Sequence, residues 1–444
     1  MYVLRTDISH FYPSLYTHAV GWAIDPKLRK KTYWHDTKLL GKRIDQNLMD
    51  LDRKFSQGIP IGNDISFLLG EIVLAAVDKE LKCDAERSFR YFDDYEFACS
   101  TEHEALQLRE SLESELAKFR LRLNPKKTEI LRLPIPAQDE WQDVLLSASR
   151  SGFKTERHLI RFFDAAFRLR ETHTQAPVLS FALGTLFKIQ RPNKSMGRVA
   201  ESAITQVLLC ESGSCQKAFS LLSFWILNGY QIDKRLFGAA ISQLVTRSLN
   251  KGTHDLIWAL SFCLGNGIHL DKSASSKLKD VENDIIAILA LHMQRKRLLA
   301  KTFDRRSLAQ RMRQSEPDRE HWLLCYEAAR HNLLTSTSGQ VKVHSLFSAM
   351  LKAGVSFYKT SAPAHFFVMA QGGAPDWLIR SWCKRVKSAQ AGGRIAKNKS
   401  NQIESALQEN DGSKISLSDF KLLLSLPEST KEPAPDKEAV VSGV

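Results

Sequence analysis

The sequence predicts an α+β region followed by an all-helical region. In residues 1–136, short apolar runs with strand character alternate with amphipathic helical patterns. From residue 137 to about 425, almost every periodic segment has the three-and-four spacing of apolar residues that is typical of helices. We therefore predict one domain at 1–136 and a second at 137–425. Residues 426–444 lack the apolar content needed to pack, so we predict a disordered tail.

The first region contains six predicted elements in chain order. YVLRTDI reads as a short buried strand that ends at Asp7, and FLLGEIVLAAVDKELK as an amphipathic helix. SFRYFDDYEFACS predicts two strands around a tight turn that carries Asp93 and Asp94. TEHEALQLRESLESELAKFRLRL predicts a second helix, and KTEILRL predicts a closing strand.

The helical region contains an internal match. SFWILNGYQIDK at 223–234 resembles SFCLGNGIHLDK at 261–272, an offset of 38 residues. In both copies Asn-Gly predicts a left-handed helix end, at Gly229 and Gly267, and an aspartate predicts the cap of the next helix. FSAMLKAGVSFYK at 347–359 is a weaker match to the same pattern. The offset favours a helical-repeat domain of the HEAT type. An irregular helical bundle is the alternative.

Charge and cysteine content narrow the class of protein. The net charge of +14 suits a polyanionic partner, with nucleic acid ahead of an anionic membrane surface and a merely soluble basic protein as the alternative. The seven cysteines form no CxxC pair, so neither a disulfide framework nor a zinc site is indicated, and a reducing cytoplasm is favoured. No signal-like or membrane-spanning run is present, so we predict no membrane partner.

Asp93 and Asp94 are adjacent carboxylates at a predicted bend. They repel each other unless a cation neutralises them, although Asp-Asp is also ordinary turn chemistry. Asp7 ends another predicted strand, and a sheet that pairs this strand with the hairpin would bring a third carboxylate to the same edge. Three carboxylates can hold two Mg²⁺ ions, the arrangement that in-line nucleotidyl transfer requires.

Four segments of this region resemble, in the family's order, the palm motifs of reverse transcriptases. They are DISHFYPS, QGIPIGNDISFLLGEIVLAAVD, RYFDDYEF and LRLNPKKTEI, all within about 130 residues. The resemblance implies a polymerase palm at residues 1–136 and a metal-dependent, RNA-directed DNA polymerase. Its implied partners are RNA or DNA and deoxynucleoside triphosphates.

The resemblance also implies roles for individual residues. The catalytic and metal-binding set would be Asp7, Asp93 and Asp94, with Lys127 neutralising the departing pyrophosphate and Lys126 as its rival. Tyr12 would exclude a ribose 2′-hydroxyl, against the alternative of an ordinary core tyrosine. The implied contacts to template and incoming base are Gln57, Gly58, Pro60, Gly62 and Ser66. Asn63 stands where the family often has proline, which we expect to loosen this loop.

Within the family, the sequences of these motifs are most similar to those of bacterial defence-associated reverse transcriptases of the abortive-infection type. Those enzymes often carry a helical-repeat domain after the palm, and HWLLCYEAARHNLL at 321–334 looks similar. This resemblance implies a role in antiviral defence, in some relatives through untemplated synthesis. The rival of another class is a non-catalytic nucleic-acid-binding or assembly protein. Another metal-dependent phosphoryl transferase is disfavoured by the ordered second and fourth motifs.

Only six residues precede Asp7, whereas the family places its fingers subdomain before the first motif. We expect an N-terminally truncated form, ahead of a separate fingers-bearing partner protein or a decayed remnant. We also expect Phe11, Leu15 and Trp22 to be partly uncovered as a result. The sequence leaves the oligomeric state open.

Overall fold

A computed structural model describes most of the chain in two compact units, Met1–Ala137 and Gln138–Val444. The described residues are 1–52, 54–81, 86–136, 139–150, 152–248, 253–301, 303–314, 321–334, 338–358, 383, 386, 387, 390 and 397–408. The predicted tail at 426–444 lies outside them. Among these residues, no helix is both long enough and apolar enough to cross a membrane.

The first unit is built on a four-stranded antiparallel sheet. Its strands are β1 (Tyr2–Asp7), β2 (Ser88–Tyr91), β3 (Asp94–Cys99) and β4 (Glu129–Arg132), in the spatial order β2-β3-β1-β4. All three pairings are antiparallel, and β1 is central. All four fall within the segments that the sequence predicted to be strands.

Five helices surround this sheet: α1 (Phe11–Ser14), α2 (Thr17–Ile24), α3 (Leu40–Leu51), α4 (Asp64–Leu81) and α5 (Glu102–Ala117). Helix α5 packs on β1 and β3 as well as on α4. Alternation along the strands sends Leu4 and Phe97 into the core with Leu74 and Leu112, while Arg5 and Glu96 stay on the outer face.

The expected exposure of Phe11 and Leu15 is wrong. Phe11 is 3% exposed and Leu15 is fully buried, and Trp22 is half-buried against Tyr16. Phe11 is covered because α4 has a glycine, Gly70, where the ring approaches; a Cβ there would lie 2.9 Å from Phe11 Cε1.

Exposed apolar side chains lie elsewhere in this unit. Ile61, Ile65 and Leu68 are exposed at the start of α4, and Phe89 and Tyr91 on β2. None of these five was anticipated from the sequence.

Every secondary-structure element that is described in the second unit is a helix. Its helices are α6 (Glu140–Ser149), α7 (Glu156–Thr172), α8 (Val178–Thr185), α9 (Lys194–Cys210), α10 (Cys215–Leu227), α11 (Lys234–Ser248), α12 (Thr253–Asn266), α13 (Lys272–Lys277), α14 (Asp284–Arg295), α15 (Arg305–Gln314), α16 (Trp322–Arg330), α17 (Ser338–Val343), α18 (Ser345–Lys352) and α19 (Lys397–Gln408).

These helices alternate between two layers. In one layer α7, α9, α11 and α13 contact one another in order, and in the other α8, α10, α12, α14 and α16 do the same. Short connections between successive helices make neighbours antiparallel. Every second connection therefore lies at the same edge of the array.

The predicted helix ends in this unit are confirmed. Gly229 and Gly267 adopt φ of 84° and 64°, the left-handed conformation that ends a helix. The side chain of Asp271 accepts a hydrogen bond from the amide of Ala274 at 2.8 Å, and Asp233 accepts one from the amide of Leu236. Each cap satisfies an amide at the start of the next helix.

Candidate active site

Three carboxylates meet at one end of the sheet. Asp7 is the last residue of β1 and lies directly opposite Asp94, the first residue of β3. Asp93 precedes Asp94 in the turn, and its carbonyl accepts a hydrogen bond from the amide of Ile8 at 3.2 Å. Side chains at directly opposed antiparallel positions have Cβ atoms about 5 Å apart. The register therefore brings together the three aspartates that the sequence singled out.

The hairpin that carries Asp93 turns through a strained residue. β2 ends at Tyr91 and β3 begins at Asp94, so Phe92 and Asp93 form a two-residue turn. Phe92 has φ of 53°, a conformation that bulky side chains rarely adopt. Such strain persists only where the surroundings hold the residue in place. Positive φ in a two-residue hairpin normally calls for glycine, so the bulky ring here has a cost.

Arg90 holds this turn from β2, the first strand of the hairpin. Its Nη1 donates to the carbonyl oxygen of Phe92 at 2.9 Å. The same guanidinium donates to both carboxylate oxygens of Glu71, at 2.9 and 3.1 Å, and to Asp78 at 2.9 Å. Tyr95 Oη also donates to Asp78, at 2.9 Å. Helix α4 thus anchors the arginine that fixes the turn.

The carboxylates carry more negative charge than their surroundings neutralise. Burial, and then the charges of Asp7 and Asp94, raise the pKa of Asp93. Burial and Asp7 also raise the pKa of Asp94, against the opposing charge of Lys127. Because burial and mutual repulsion both favour the protonated forms, a cation at this end of the sheet would be bound favourably.

Lys127 is the cation in direct contact with this group. Its Nζ lies 2.6 Å from Oδ2 of Asp7, and Asn124 Nδ2 donates to the same oxygen at 3.3 Å. The hydrogen bond to Asp7 is the main cause of the raised pKa of Lys127. Of the two lysines that the sequence left open, the structure places Lys127, and not Lys126, at the carboxylates.

A divalent metal would need a small rearrangement here. Across the described ranges, no three His, Cys, Asp or Glu side chains are already arranged to coordinate an ion. Lys127 binds one carboxylate oxygen of Asp7, and the lysine side chain is 63% exposed. The donors are all carboxylate oxygens, which suit hard divalent cations. The residue types therefore fit a metal held by Asp7, Asp93 and Asp94.

Tyr12 lies beside the carboxylates and is half-buried. Its ring packs edge-on against Phe67, with centroids 5.9 Å apart. Burial raises its pKa first, followed by the negative charges of Asp93 and Glu71. The phenol is therefore close enough to Asp93 and Glu71 for their negative charges to act on it.

The loop QGIPIG is attached to α1. The amide of Gly58 donates to the carbonyl of Leu15 at 2.8 Å, and the amide of Ile59 donates to that of Tyr12 at 3.1 Å. Gly58 has φ of 88°, and a Cβ there would lie 3.2 Å from the Pro13 carbonyl oxygen. Glycine is needed here both for the conformation and for the close approach.

The remaining loop residues differ in accessibility. Gln57 and Pro60 are exposed, and Gly62 has φ of 95° with open space around it. Ser66 is only 3% exposed within α4, so its side chain does not reach the loop surface.

The expectation that Asn63 loosens this loop is wrong. Its Oδ1 accepts a hydrogen bond from the amide of Ser66 at 2.8 Å, which caps the start of α4. Its Nδ2 donates to the carbonyl of Pro60 at 3.4 Å. Asn63 therefore fastens the loop to the helix.

Sequence reasoning missed Arg90 and its partners Glu71 and Asp78. One signal was present, because the two acids are seven residues apart in an otherwise apolar helix and so share one face. Two partly exposed carboxylates on one helix face favour a shared cationic partner.

Comparison with known proteins bears on the first unit and the beginning of the second. Residues 7–171 match the family model described as reverse transcriptase (RNA-dependent DNA polymerase). The match begins at Asp7, includes all the carboxylates above and ends within α7. No curated protein matches the chain. Residues 7–171 are therefore similar to reverse transcriptases over this part of the chain.

Proposed function

We propose that this chain is an RNA-directed or untemplated DNA polymerase. The observation that carries the proposal is the antiparallel register that sets Asp7 opposite Asp94, with Asp93 in the adjoining turn, inside a segment that matches the reverse transcriptase family. This arrangement has the charge and donor atoms for nucleotidyl transfer.

Each residue of the site has a defined task in this proposal. Asp7, Asp93 and Asp94 would hold two Mg²⁺ ions, which when bound activate the attacking 3′-hydroxyl and neutralise the leaving pyrophosphate. Lys127 would leave Asp7 and hold a proton beside the pyrophosphate. Tyr12 would close the sugar side of the nucleotide, where its ring excludes a 2′-hydroxyl.

The loop from Gln57 to Gly62, with Ser66 behind it, would lie against template and incoming base. Gly58 and Gly62 allow backbone to approach the base pair closely. Asn63 supports this by fixing the loop to α4.

We further propose that the second unit is a HEAT-like array and that the protein acts in bacterial antiviral defence within the cytoplasm. The alternating helix contacts and the recurring Asn-Gly and Asp-Lys positions support the array. The defence role rests on the resemblance of the palm motifs alone. Domain limits of 1–136 and 137–425 are part of this proposal.

A second candidate is a pseudo-polymerase that binds nucleic acid without catalysis. The contact between Lys127 and Asp7 favours it, because a permanent ion pair would occupy a metal ligand. The two candidates differ in whether a divalent ion displaces the lysine.

The test is deoxynucleotide incorporation with Mg²⁺, with and without template, for this chain and for one extended upstream. We expect Asp93→Ala with Asp94→Ala to lower incorporation by about a thousandfold or more, since removing metal ligands removes the charge stabilisation of the transition state. The matched control, Glu110→Ala with Glu113→Ala, removes two exposed acids from α5 and should leave the rate unchanged. Polymerisation by the aspartate double variant would show that the site is assigned wrongly. If no form incorporates deoxynucleotides, the pseudo-polymerase is favoured.

A further inference from the structure

One edge of the helical unit concentrates positive charge. Four segments contain the connections from a helix of one layer to the next helix of the other, together with flanking helical residues, at 188–198, 228–238, 266–276 and 295–301. Their net charges are +4, +1, 0 and +4, out of +14 for the whole chain. We call these four segments the basic edge.

Direct contacts place the four segments side by side in chain order. Nη1 of Arg191 lies 3.3 Å from the position that a Cβ on Gly229 would take. Nζ of Lys234 lies 3.9 Å from the equivalent position on Gly267. The amide of Leu270 then donates to the carbonyl of Leu298 at 3.0 Å. The basic edge is therefore a continuous ridge.

The opposite connections of the same array carry no positive excess. Counted in the same way, with the start of the following helix included, residues 173–182, 211–219, 249–257 and 279–288 have net charges of 0, 0, 0 and −2. Their glutamate at 211 is buried and accepts hydrogen bonds from the amides of Leu179 and Ser180, so it serves the fold. The charge asymmetry thus belongs to one edge.

The basic side chains of this ridge face solvent. Arg191, Lys194, Lys234 and Arg235 are exposed, as are Lys296 and Arg297. Within the part of the chain that the structure describes, Arg191, Lys194 and Lys234 form no ion pair with a carboxylate. Their charges therefore stay available to a ligand.

We propose that the basic edge binds the phosphate backbone of a nucleic-acid strand. Packed helices are about 8–10 Å apart, so the four segments extend over about 30 Å, close to one helical turn of a duplex. A linear row of exposed cations at that length matches a linear polyanion. No large apolar side chain of these segments is exposed, so the edge lacks the anchors of a membrane-binding surface.

This surface is separate from the carboxylates of the first unit, and its role does not depend on polymerase activity. Phosphate contacts without base contacts bind strands of any sequence, so affinity should be governed by salt. In a polymerase, such a ridge would hold a template or product strand by its phosphates.

The test compares two charge reversals of equal size in the full chain. Lys194→Glu with Lys234→Glu alters the basic edge, and Lys217→Glu with Arg247→Glu alters the opposite ends of neighbouring helices. Affinity for a labelled single strand of about 20 nucleotides is measured by anisotropy from about 50 to 200 mM salt. We expect the edge variant to bind at least tenfold more weakly and the control to stay within about threefold of the unaltered chain.

A neutralised variant gives a second measure. Arg191, Lys194, Lys234 and Arg235 are replaced together by glutamine. Each lost phosphate contact on a single strand lowers the slope of log affinity against log salt by about 0.7, so the expected reduction is about 3. Hydrogen exchange with bound strand should show protection at 188–198 and 228–238. Equal losses in the edge and control variants, or an unchanged salt slope, would overturn the proposal.

The outcome is distinct from that of the polymerase proposal. Asp93→Asn with Asp94→Asn should abolish synthesis and leave binding at the basic edge intact. If a chain without polymerase activity still binds a strand at the basic edge, the polymerase proposal is refuted and the basic-edge proposal is retained.

Discussion

Neutralising one of the paired aspartates should stabilise the first unit when no divalent cation is present. Burial, and then the charges of Asp7 and Asp94, raise the pKa of Asp93 in the native state. The unfolded chain ionises this group without such a penalty. Asp93→Asn removes the charge and keeps the shape of the side chain, so at neutral pH it should increase the free energy of unfolding.

The size of this effect follows from the spacing of the carboxylates. Two like charges about 5 Å apart repel by about 0.8 kcal/mol in bulk water, and by more near protein. Lys127 offsets part of the repulsion through Asp7, and Asp93 is partly exposed, so solvent screens the rest. We therefore expect a gain of about 1 kcal/mol, which for a unit of this size raises the melting temperature by about 4 °C.

The sign of the pH dependence is fixed by the direction of the pKa shift. A carboxyl group whose native pKa is raised binds its proton more tightly in the native state. Its stabilising contribution is complete at low pH and is lost as pH rises from about 4, the usual value for aspartate, through the raised native value. The advantage of Asp93→Asn should therefore be small at low pH and grow toward neutral pH.

The assay is calorimetric unfolding of the full chain at several pH values, first with a chelator and then with MgCl₂. Glu110→Gln, an exposed acid on α5, controls for the change in net charge. Magnesium at ten times its dissociation constant should stabilise the unaltered chain by about 1.4 kcal/mol and Asp93→Asn by less. If the melting temperature of Asp93→Asn were equal to or lower than that of the unaltered chain at every pH in chelator, the account of mutual repulsion would be wrong.

Three further predictions concern neighbouring residues. Arg90→Lys keeps the charge but loses the fork that spans two acids and a carbonyl, so we expect the first unit to lose about 1–2 kcal/mol and hydrogen exchange at 88–99 to quicken. Gly70→Ala should lower the free energy of unfolding by about 1 kcal/mol through overpacking, whereas Gly265→Ala, with open space around it, should raise it by up to about 1 kcal/mol. Lys127→Met should tighten Mn²⁺ binding measured by electron paramagnetic resonance, because it frees a carboxylate oxygen of Asp7. The control Lys126→Met should leave Mn²⁺ binding unchanged. Equal effects at both lysines would contradict the placement of Lys127 at the carboxylates.

The convergence of the three aspartates was predictable from the sequence. Alternating apolar residues locate the strands, and the adjacent aspartates locate the turn between two of them. Pairing β1 with β3 then follows from the need to bury Leu4 against Phe97, and a slip of one residue would turn Leu4 outward. Asp7 therefore has to end opposite Asp94.

The packing of α1 was not predictable in the same way. Whether Phe11 is covered depends on a gap that Gly70 leaves in α4, almost sixty residues later in the chain. Hydrophobic periodicity identifies helix α4 but not the gap that Gly70 leaves in its surface. Gly70 also allows α1 to carry Tyr12 beside the carboxylates, so the same gap positions a proposed substrate contact.

Arg90 shows why part of the site is invisible to motif reasoning. Its guanidinium is fixed by Glu71 and Asp78 of α4, and it fixes in turn the carbonyl of Phe92. The contacts of Arg90 with Glu71 and Asp78 span 19 and 12 positions, so no local sequence pattern reveals them.

Helix α4 consequently links the two halves of the proposed site. Its first turn is capped by Asn63 at the end of the QGIPIG loop, and its middle holds Arg90 through Glu71 and Asp78. A helix is a stiff rod with a rise of 1.5 Å per residue, so Glu71 lies only about 12 Å along the axis from the cap. A strand that presses on the loop would displace α4 as one body and, through Arg90, move the strained turn at Phe92. We therefore predict that binding at the loop changes the placement of Asp93 through α4 and Arg90.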